Sequence, residues 1–371
     1  MKYQRMIMEA ESPDLAGPET FLYNLAESSV RDRSLGELGI EFGDLSLPYG
    51  DHYGHPELRS LIAEYSGPKV SADDVLLTAG AAGALFIISS SLLEPGDHMV
   101  VGFPNYATNY ETPHAIGAKV EEHVQTFDSN FSIDVDRLAS QVTDETRFIS
   151  LTCPHNPTGV MFSRQELDQL IDIAERNDCW LVVDETYREM AYGEPLPVAA
   201  DLSDRAISVC SMSKTYGVPG IRVGWLITRD PGLMETFISA KEQIGITGSV
   251  LDETVALQTL QQKGSLLPLI REEIAQGFTI ISDWVQDEPM LEWVQPDGGV
   301  TCCVRIPGVS DDQMRHFYEV LKDRYKTAIG PGYWFKLPMN YLRIGFGWTR
   351  PGTTREGLRC ISSALRNCFA D

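Results

Sequence analysis

The sequence predicts an α/β protein with a mostly parallel sheet flanked by helices, followed by a smaller α+β region. Short apolar runs alternate with helical patterns through the middle of the chain, which is typical of parallel strands joined by crossover helices. At 371 residues the chain exceeds the usual size of one hydrophobic core, so we expect two domains. We assign residues 46–262 to a large domain, and residues 1–45 with 263–371 to a small domain.

Five apolar runs are expected to form the parallel strands, and each is followed by polar or Gly/Pro-rich residues. The runs are 75–78, 99–101, 148–151, 180–183 and 206–210. Ligands of open α/β sheets bind beyond the carboxyl ends of the strands. We therefore expect the five segments that follow these runs to converge on one site.

The remaining elements are recognised by capping and periodicity. Ser163 and Glu166 form a capping-box pattern that begins a helix. After about residue 262 the alternation of apolar runs and helices ends, and the pattern predicts a long helix over 266–287 and a last helix from Thr353 to about Asn367. Strand-like pieces lie between these helices, at 301–306 and 341–344.

Composition limits the classes of protein that the chain can belong to. Apolar residues make up 43% and charged residues 22%, as in ordinary globular enzymes, and no apolar run approaches the roughly 20 residues of a membrane span. A net charge of −23 disfavours nucleic acid and anionic membranes as partners. The seven cysteines lack paired metal spacings, so we expect buried thiols and no metal. The N-terminus lacks an export pattern, so we expect a cytoplasmic protein.

Lys214 lies in the most informative segment of the chain. It follows the run 206–210, is flanked by Ser211 and Ser213, and precedes Arg222 by about two turns. An amine can form a Schiff base with an aldehyde, and hydroxyl and guanidinium groups can bind a phosphate. The segment therefore predicts a lysine that binds pyridoxal phosphate, with a surface lysine after a strand as the alternative.

Asp184 and Arg343 are charged residues in runs that are expected to be buried. An isolated buried charge is unfavourable, so each of them needs a partner. A protonated pyridine nitrogen is a suitable partner for Asp184, while a cap for the next helix is the alternative role. For Arg343 the alternative is a structural salt bridge.

As a set, these motifs resemble the fold-type-I pyridoxal phosphate enzymes of the class I/II aminotransferase group. The similarity runs from about Tyr49 to Arg343 and implies the PLP-transferase fold type I, with a seven-stranded type of sheet in the large domain. It implies that Lys214 carries the cofactor, that Asp184 pairs with the ring nitrogen, and that Arg343 binds the substrate α-carboxylate.

The resemblance also implies roles for residues whose local patterns are weak. Asn156 and Tyr187 would contact the ring hydroxyl, Asn156 would also lie beside the substrate, and Tyr106 would stack on the ring. A loop asparagine and packed aromatic side chains are the alternatives. The phosphate would be bound at the start of an apolar helix, by Gly80, Ala81 and Ala82 together with Ser211, Ser213 and Arg222. Tyr49 resembles a tyrosine that reaches the phosphate of the neighbouring subunit, which implies a homodimer with shared active sites.

The substrate is less well defined than the cofactor. No second arginine lies in a recognisable dicarboxylate-binding motif, so aspartate and glutamate are not favoured. In this fold the N-terminal segment often covers the substrate, and Glu9, Glu11 or Glu27 there could bind a guanidinium or ammonium group. The alternative is that these are ordinary solvated acids among the 53 of the chain.

The resemblance implies a reaction that starts from an L-α-amino acid, with the Lys214 amine removing the α-proton. An aminotransferase, with an oxo acid as second substrate and an arginine-like donor, is the first expectation. Four segments are also similar to capreomycidine-synthase-like enzymes, which eliminate water from a hydroxyarginine and close a cyclic guanidine. These segments are 154–159, 213–225, 298–301 and 342–346. A cyclase of this kind is the alternative.

Overall fold

The computed structural model describes residues 1–17 and 19–369. The strands are β1 (Tyr23–Asn24), β2 (Val75–Ala79), β3 (His98–Phe103), β4 (Lys119–Val124), β5 (Thr146–Thr152), β6 (Trp180–Asp184), β7 (Ala206–Ser211), β8 (Val223–Ile227), β9 (Glu292–Trp293), β10 (Thr301–Arg305), β11 (Thr327–Ala328), β12 (Gly330–Pro331) and β13 (Tyr341–Gly345).

The α-helices are α1 (Ile7–Ala10), α2 (Pro56–Ser66), α3 (Gly80–Leu92), α4 (Thr108–Ile116), α5 (Val135–Gln141), α6 (Arg164–Arg176), α7 (Ala199–Leu202), α8 (Pro231–Gly245), α9 (Val250–Gln261), α10 (Lys263–Asp287), α11 (Asp311–Asp323) and α12 (Pro351–Phe369). Within the part of the chain that the structure describes, no helix is long and apolar enough to cross a bilayer.

The central sheet has seven strands in the order β2-β8-β7-β6-β5-β3-β4. Only β8 runs antiparallel to its neighbours, so the mostly parallel α/β sheet predicted from the sequence is confirmed. All five predicted strands occur, each slightly longer than its apolar run. Two strands of this sheet were not predicted from the sequence: β4 is a polar edge strand, and β8 follows Arg222 without an intervening turn signal.

The helix α6 illustrates how local sequence sets an element. Ser163 Oγ accepts a hydrogen bond from the Glu166 N–H at 3.2 Å, and the Glu166 carboxylate accepts one from the Ser163 N–H in return. These bonds satisfy two donors that the first turn of a helix leaves free. The apolar face of α6 then packs against the sheet, so that β5 and β6 are held with their carboxyl ends side by side.

The C-terminal region contains a four-stranded antiparallel sheet in the order β12-β13-β10-β9. The N-terminal segment joins this region, because β1 pairs in parallel with β11. One hydrophobic cluster connects β8 and α9 with α10 and α12 across the expected boundary near residue 262. The division into residues 46–262 and 1–45 with 263–371 therefore stays a proposal.

Candidate active site

A cavity of about 280 Å³ lies beyond the carboxyl ends of the central strands, beside the N-terminal segment and β13. The structure thus brings together side chains that are more than 300 residues apart in sequence. The predicted site residues that line it are Glu9, Glu27, Ala81, Ala82, Tyr106, Asn156, Asp184, Tyr187, Ser211, Ser213, Lys214, Arg222 and Arg343.

One corner of the cavity has the features of an anion site. The helix α3 begins at Gly80 without a side-chain cap, so its first N–H groups remain available. Arg222 Nη1 donates to Ser213 Oγ at 3.2 Å, which holds the guanidinium beside that helix end. Gly80 does not line the cavity, but its φ is +71° and a Cβ there would collide with the Arg222 guanidinium. The corner therefore fits a phosphate group.

Asp184 lies at the end of β6 and is 6% exposed. Its Oδ1 accepts the Thr186 N–H at 3.1 Å, and burial raises the pKa of its carboxyl group. Among the described residues no cation forms a salt bridge with it. Within the described part of the chain the acid is thus buried without a cationic partner, which is the situation that a protonated pyridine nitrogen would relieve.

Lys214 projects its amine into the same cavity as Asp184. Its Nζ donates to Ser28 Oγ at 3.1 Å, and its carbonyl accepts the Val30 N–H. Residues 28–30 therefore pack directly on the lysine loop. The sequence did not identify this contact of Ser28, because nothing in its local pattern differs from other serines.

The cavity thus contains an amine, a corner suited to an anion at the start of helix α3, and a buried acid without a cationic partner among the described residues. Together these three features fit pyridoxal phosphate. Lys214 would take its aldehyde, Asp184 its ring nitrogen, and Ser211, Ser213 and Arg222 its phosphate. These individual roles stay predictions.

Arg343 is 4% exposed and has only neutral partners among the described residues. Its Nη1 donates to Asn156 Oδ1 at 3.1 Å, its Nη2 donates to the Ala26 carbonyl, and its Cζ lies 4.9 Å from the centre of the Phe335 ring. Burial lowers the pKa of the guanidinium, and Nε has no hydrogen-bond partner. The alternative of a structural salt bridge is thus not what the structure has, and a substrate carboxylate remains the predicted partner.

His155 positions the loop that carries Asn156. Its Nε2 donates to the Pro104 carbonyl at 2.6 Å, which leaves Nδ1 to accept from the Thr158 hydroxyl at 2.7 Å. Burial lowers the pKa of His155 to about 4, so the ring is neutral at pH 7. The histidine therefore ties the Pro104–Tyr106 loop to the Asn156 loop, a function for which the sequence had no signal.

The mouth of the cavity is formed by the N-terminal segment and the turn Gly332–Phe335. Tyr106 Oη donates to Glu9 Oε1 at 3.4 Å, and burial raises the pKa of Tyr106 to about 12. Asp14 and Trp334 also line the mouth, although neither was predicted.

Besides Gly80, two residues that the sequence analysis considered lie outside the cavity. Glu11, an expected candidate for substrate contact, instead accepts hydrogen bonds from Tyr333 and Trp334. Tyr49 is 82% exposed at the protein surface. That position is compatible with a role in a neighbouring subunit, which stays a prediction.

Comparisons with known proteins agree with this geometry. Residues 41–359 match the family described as aminotransferase class I and II. The chain is 30% identical over 328 residues to an arginine–pyruvate transaminase of Pseudomonas aeruginosa, covering 86% of this chain and 79% of that protein. It is 27% identical over 354 residues to the capreomycidine synthase of Streptomyces vinaceus, covering 92% of this chain and 89% of that protein. A crystal structure of a PLP-dependent aminotransferase from Streptococcus suis superposes with a TM-score of 0.92 at 27% identity, covering 100% of both chains.

Proposed function

The chain belongs to the class I and II aminotransferase family, and on that premise we propose that its amino donor is an L-α-amino acid with a guanidinium-type side chain. The cofactor is pyridoxal phosphate, and an oxo acid is the second substrate. The relative that uses arginine supports the proposal, and so does the charge of the cavity.

The charge distribution in the cavity is the observation that carries the substrate proposal. Among the lining residues that the structure describes, the cations are Lys214, Arg222 and Arg343, and each is expected to bind the cofactor or the α-carboxylate. None is left for a carboxylate on the substrate side chain. The mouth instead presents Glu9, Asp14 and Glu27, whose oxygens are suited to a guanidinium group.

The reaction requires orientation of the substrate and transfer of a proton. When bound, pyridoxal phosphate supplies an electron sink for the substrate α-carbon. Arg343 would orient the α-carboxylate through its planar fork, and the Lys214 amine would remove the α-proton as general base. Because Asn156 accepts from Arg343 through Oδ1, its amide NH₂ remains free to donate toward the cofactor. Asn156 would thereby couple carboxylate binding to the position of the ring.

The substrate class is tested by steady-state kinetics with arginine, lysine and neutral amino acids, each with and without pyruvate. We expect acceptor-dependent turnover with arginine, and an increase of a few-fold in the KM for arginine in Glu9→Gln, since exposed ion pairs contribute little. Glu19→Gln, at an exposed position that does not line the cavity, is the matched control. Equal kcat/KM for arginine and neutral amino acids would reject the proposed substrate class.

A cyclase is the second candidate, supported by the similarity to a capreomycidine synthase over 92% of the chain. Up to removal of the α-proton, both reactions use the same residues of the site. They are separated by incubation with hydroxyarginines followed by mass spectrometry. A product lighter by one water that forms without an oxo acid favours the cyclase, whereas acceptor-dependent loss of the amino group favours the transaminase.

The assembly that we propose is a homodimer with shared active sites. The loop that carries Tyr49 lies near α8 and α9, since His52 Nδ1 lies 2.5 Å from Glu242 Oε1 and a Cβ built on Gly50 would lie 4.0 Å from Val250 Cγ2. Both regions carry further exposed apolar side chains. These side chains are Leu47, Ile244, Ile246 and Leu251. Light scattering that gives the mass of a monomer would reject the dimer. Residence in the cytoplasm likewise stays a prediction.

A further inference from the structure

The N-terminal segment, residues 1–16, covers the mouth of the cavity but has few hydrogen bonds to the rest of the protein. Apart from a local bond from Thr20 Oγ1 to the Ala16 carbonyl, these bonds among the described residues are Lys2 N–H to the Ala115 carbonyl at 3.3 Å, Tyr106 to Glu9 at 3.4 Å, and two to Glu11. The two bonds to Glu11 are the short ones. Its Oε2 accepts from Tyr333 Oη at 2.7 Å and from Trp334 Nε1 at 2.8 Å.

The turn that Glu11 contacts is itself part of the substrate site. Trp334 lines the cavity, and Phe335, the next residue, packs against the guanidinium of Arg343. Met8 also packs on the apolar cluster formed by Trp334 and Phe335. The segment is thus fastened to the same turn that supports the carboxylate-binding arginine.

Glu9 and Asp14 lie on either side of Glu11 in sequence, and both line the mouth. Both are exposed, so the surrounding core does not hold them in place. Their distance from a substrate side chain therefore depends on where the segment is fastened. Glu11 provides that attachment through an ionised acceptor, which forms stronger hydrogen bonds than a neutral one.

We propose that Glu11 is a positioning residue for side-chain selection: by binding Tyr333 and Trp334, it holds Glu9 and Asp14 where they meet a cationic substrate side chain. The inference rests on the proposed function for the nature of the substrate. Its structural half, which is the attachment of residues 1–16 to the turn Gly332–Phe335 through Glu11, does not depend on any substrate.

The structural half is tested by limited trypsin digestion of the cofactor-loaded enzyme. Mass spectrometry measures the rate of cleavage after Arg5. Cleavage of a segment that opens and closes rapidly tracks the population of the open form. We expect Glu11→Ala to be cleaved about tenfold faster, since hydrogen bonds to a charged acceptor are lost. Tyr333→Phe, which removes one donor, should be intermediate. Glu11→Gln keeps an acceptor oxygen and should restore most of the protection, and Glu19→Ala should match the wild type.

The selective half is tested by comparing kcat/KM for arginine with kcat/KM for a neutral amino acid. In Glu11→Ala we expect this ratio to fall by about fivefold through the KM for arginine, with kcat for the neutral substrate unchanged. The proposal would be overturned if trypsin cleaved Glu11→Ala at the same rate as the wild type. It would also be overturned if the variant were cleaved faster but its ratio of kcat/KM for arginine to kcat/KM for the neutral amino acid were unchanged. A wild type that does not prefer arginine would instead reject the proposed substrate, while the digestion still reports on the attachment.

Discussion

The two ends of the cavity are built in different ways. The cofactor end is formed by Asp184 and Ser211 at the ends of β6 and β7, by Ser213 and Lys214 just after β7, and by Arg222 directly before β8; all three strands are paired on both sides. The mouth is formed by Glu9 in the one-turn helix α1, by Asp14 and Trp334 in short 3-10 turns, and by Glu27 in an irregular segment. The comparison indicates that the sheet holds the residues expected to bind the cofactor, whereas the proposed selection of the substrate side chain would depend on segments that can change without disturbing the sheet.

The largest effect is expected at the cofactor end, in Lys214→Ala. Loss of the amine should abolish the visible absorbance of lysine-bound cofactor and lower turnover by about 10³-fold, because the base for the α-proton is removed. Absorbance spectra and steady-state rates measure both. Lys322→Ala, on the exposed side of α11, is the control. A coloured and active Lys214→Ala enzyme would show that this cavity end is not the catalytic one.

Arg343→Lys probes the boundary between the two ends. A lysine cannot reproduce the planar fork, so we expect kcat/KM for all amino acids to fall by about 10- to 100-fold, whatever their side-chain charge. Steady-state kinetics with arginine and with alanine measure the change. A loss restricted to arginine would place Arg343 in side-chain selection and would contradict its assignment to the α-carboxylate.

The burial of Glu185, next to Asp184 in the chain, is expected to make the stability of the protein depend on pH. Glu185 follows Asp184 and accepts hydrogen bonds from the Ala199 N–H at 2.7 Å and from the Ser208 hydroxyl at 2.9 Å. Burial raises the pKa of the Glu185 carboxyl group from its ordinary value of 4.5 to about 7. The folded state therefore retains a proton that the unfolded chain loses at lower pH. Stability should fall as the pH rises through this range, by on the order of 2 kcal/mol.

Urea unfolding of the wild type and of Glu185→Gln at pH 5 and pH 8 checks this expectation. The glutamine can accept the same two hydrogen bonds but has no proton to release, so its stability should change less between the two pH values. The same pH dependence in both proteins would show that Glu185 is ionised in the folded state throughout.

The smallest expected effect is that of Gly80→Ala on cofactor affinity. A methyl group at φ +71° and against Arg222 would displace the guanidinium from the anion corner. We expect the Kd for pyridoxal phosphate to rise about tenfold, measured by absorbance titration. Gly83→Ala in the same helix, where the nearest heavy atom is 3.4 Å away, should bind the cofactor like the wild type. A similar increase in the Kd for pyridoxal phosphate in both variants would show that cofactor binding is weakened by a change in helix α3, and not by displacement of Arg222 from the anion site.

Much of the cofactor end could be predicted from the sequence. The strands there, β6 and β7, are mostly apolar, and a polar residue lies at the end of each, Asp184 in β6 and Ser211 in β7. Such signals are local, because a buried strand and the residue at its end are neighbours in the chain. The polar edge strand β4 lacked that signal and was missed.

The contacts that complete the site could not be predicted in this way. Ser28 meets Lys214 across 186 residues, and His155 meets the carbonyl of Pro104 across 51 residues. Both contacts depend on how loops pack after the sheet has formed. Serine and histidine are common polar residues whose sequence neighbours do not reveal such partners.

The sequence by itself determined the α/β sheet and the family, because apolar runs and the motif around Lys214 are properties of short stretches of chain. Only the tertiary structure decided which of the acidic residues line the cavity and which contact other parts of the protein. Glu9 lines the cavity, whereas Glu11, two residues later, binds Tyr333 and Trp334. Carboxylates are chemically alike, so their roles follow from the distant residues that folding brings beside them.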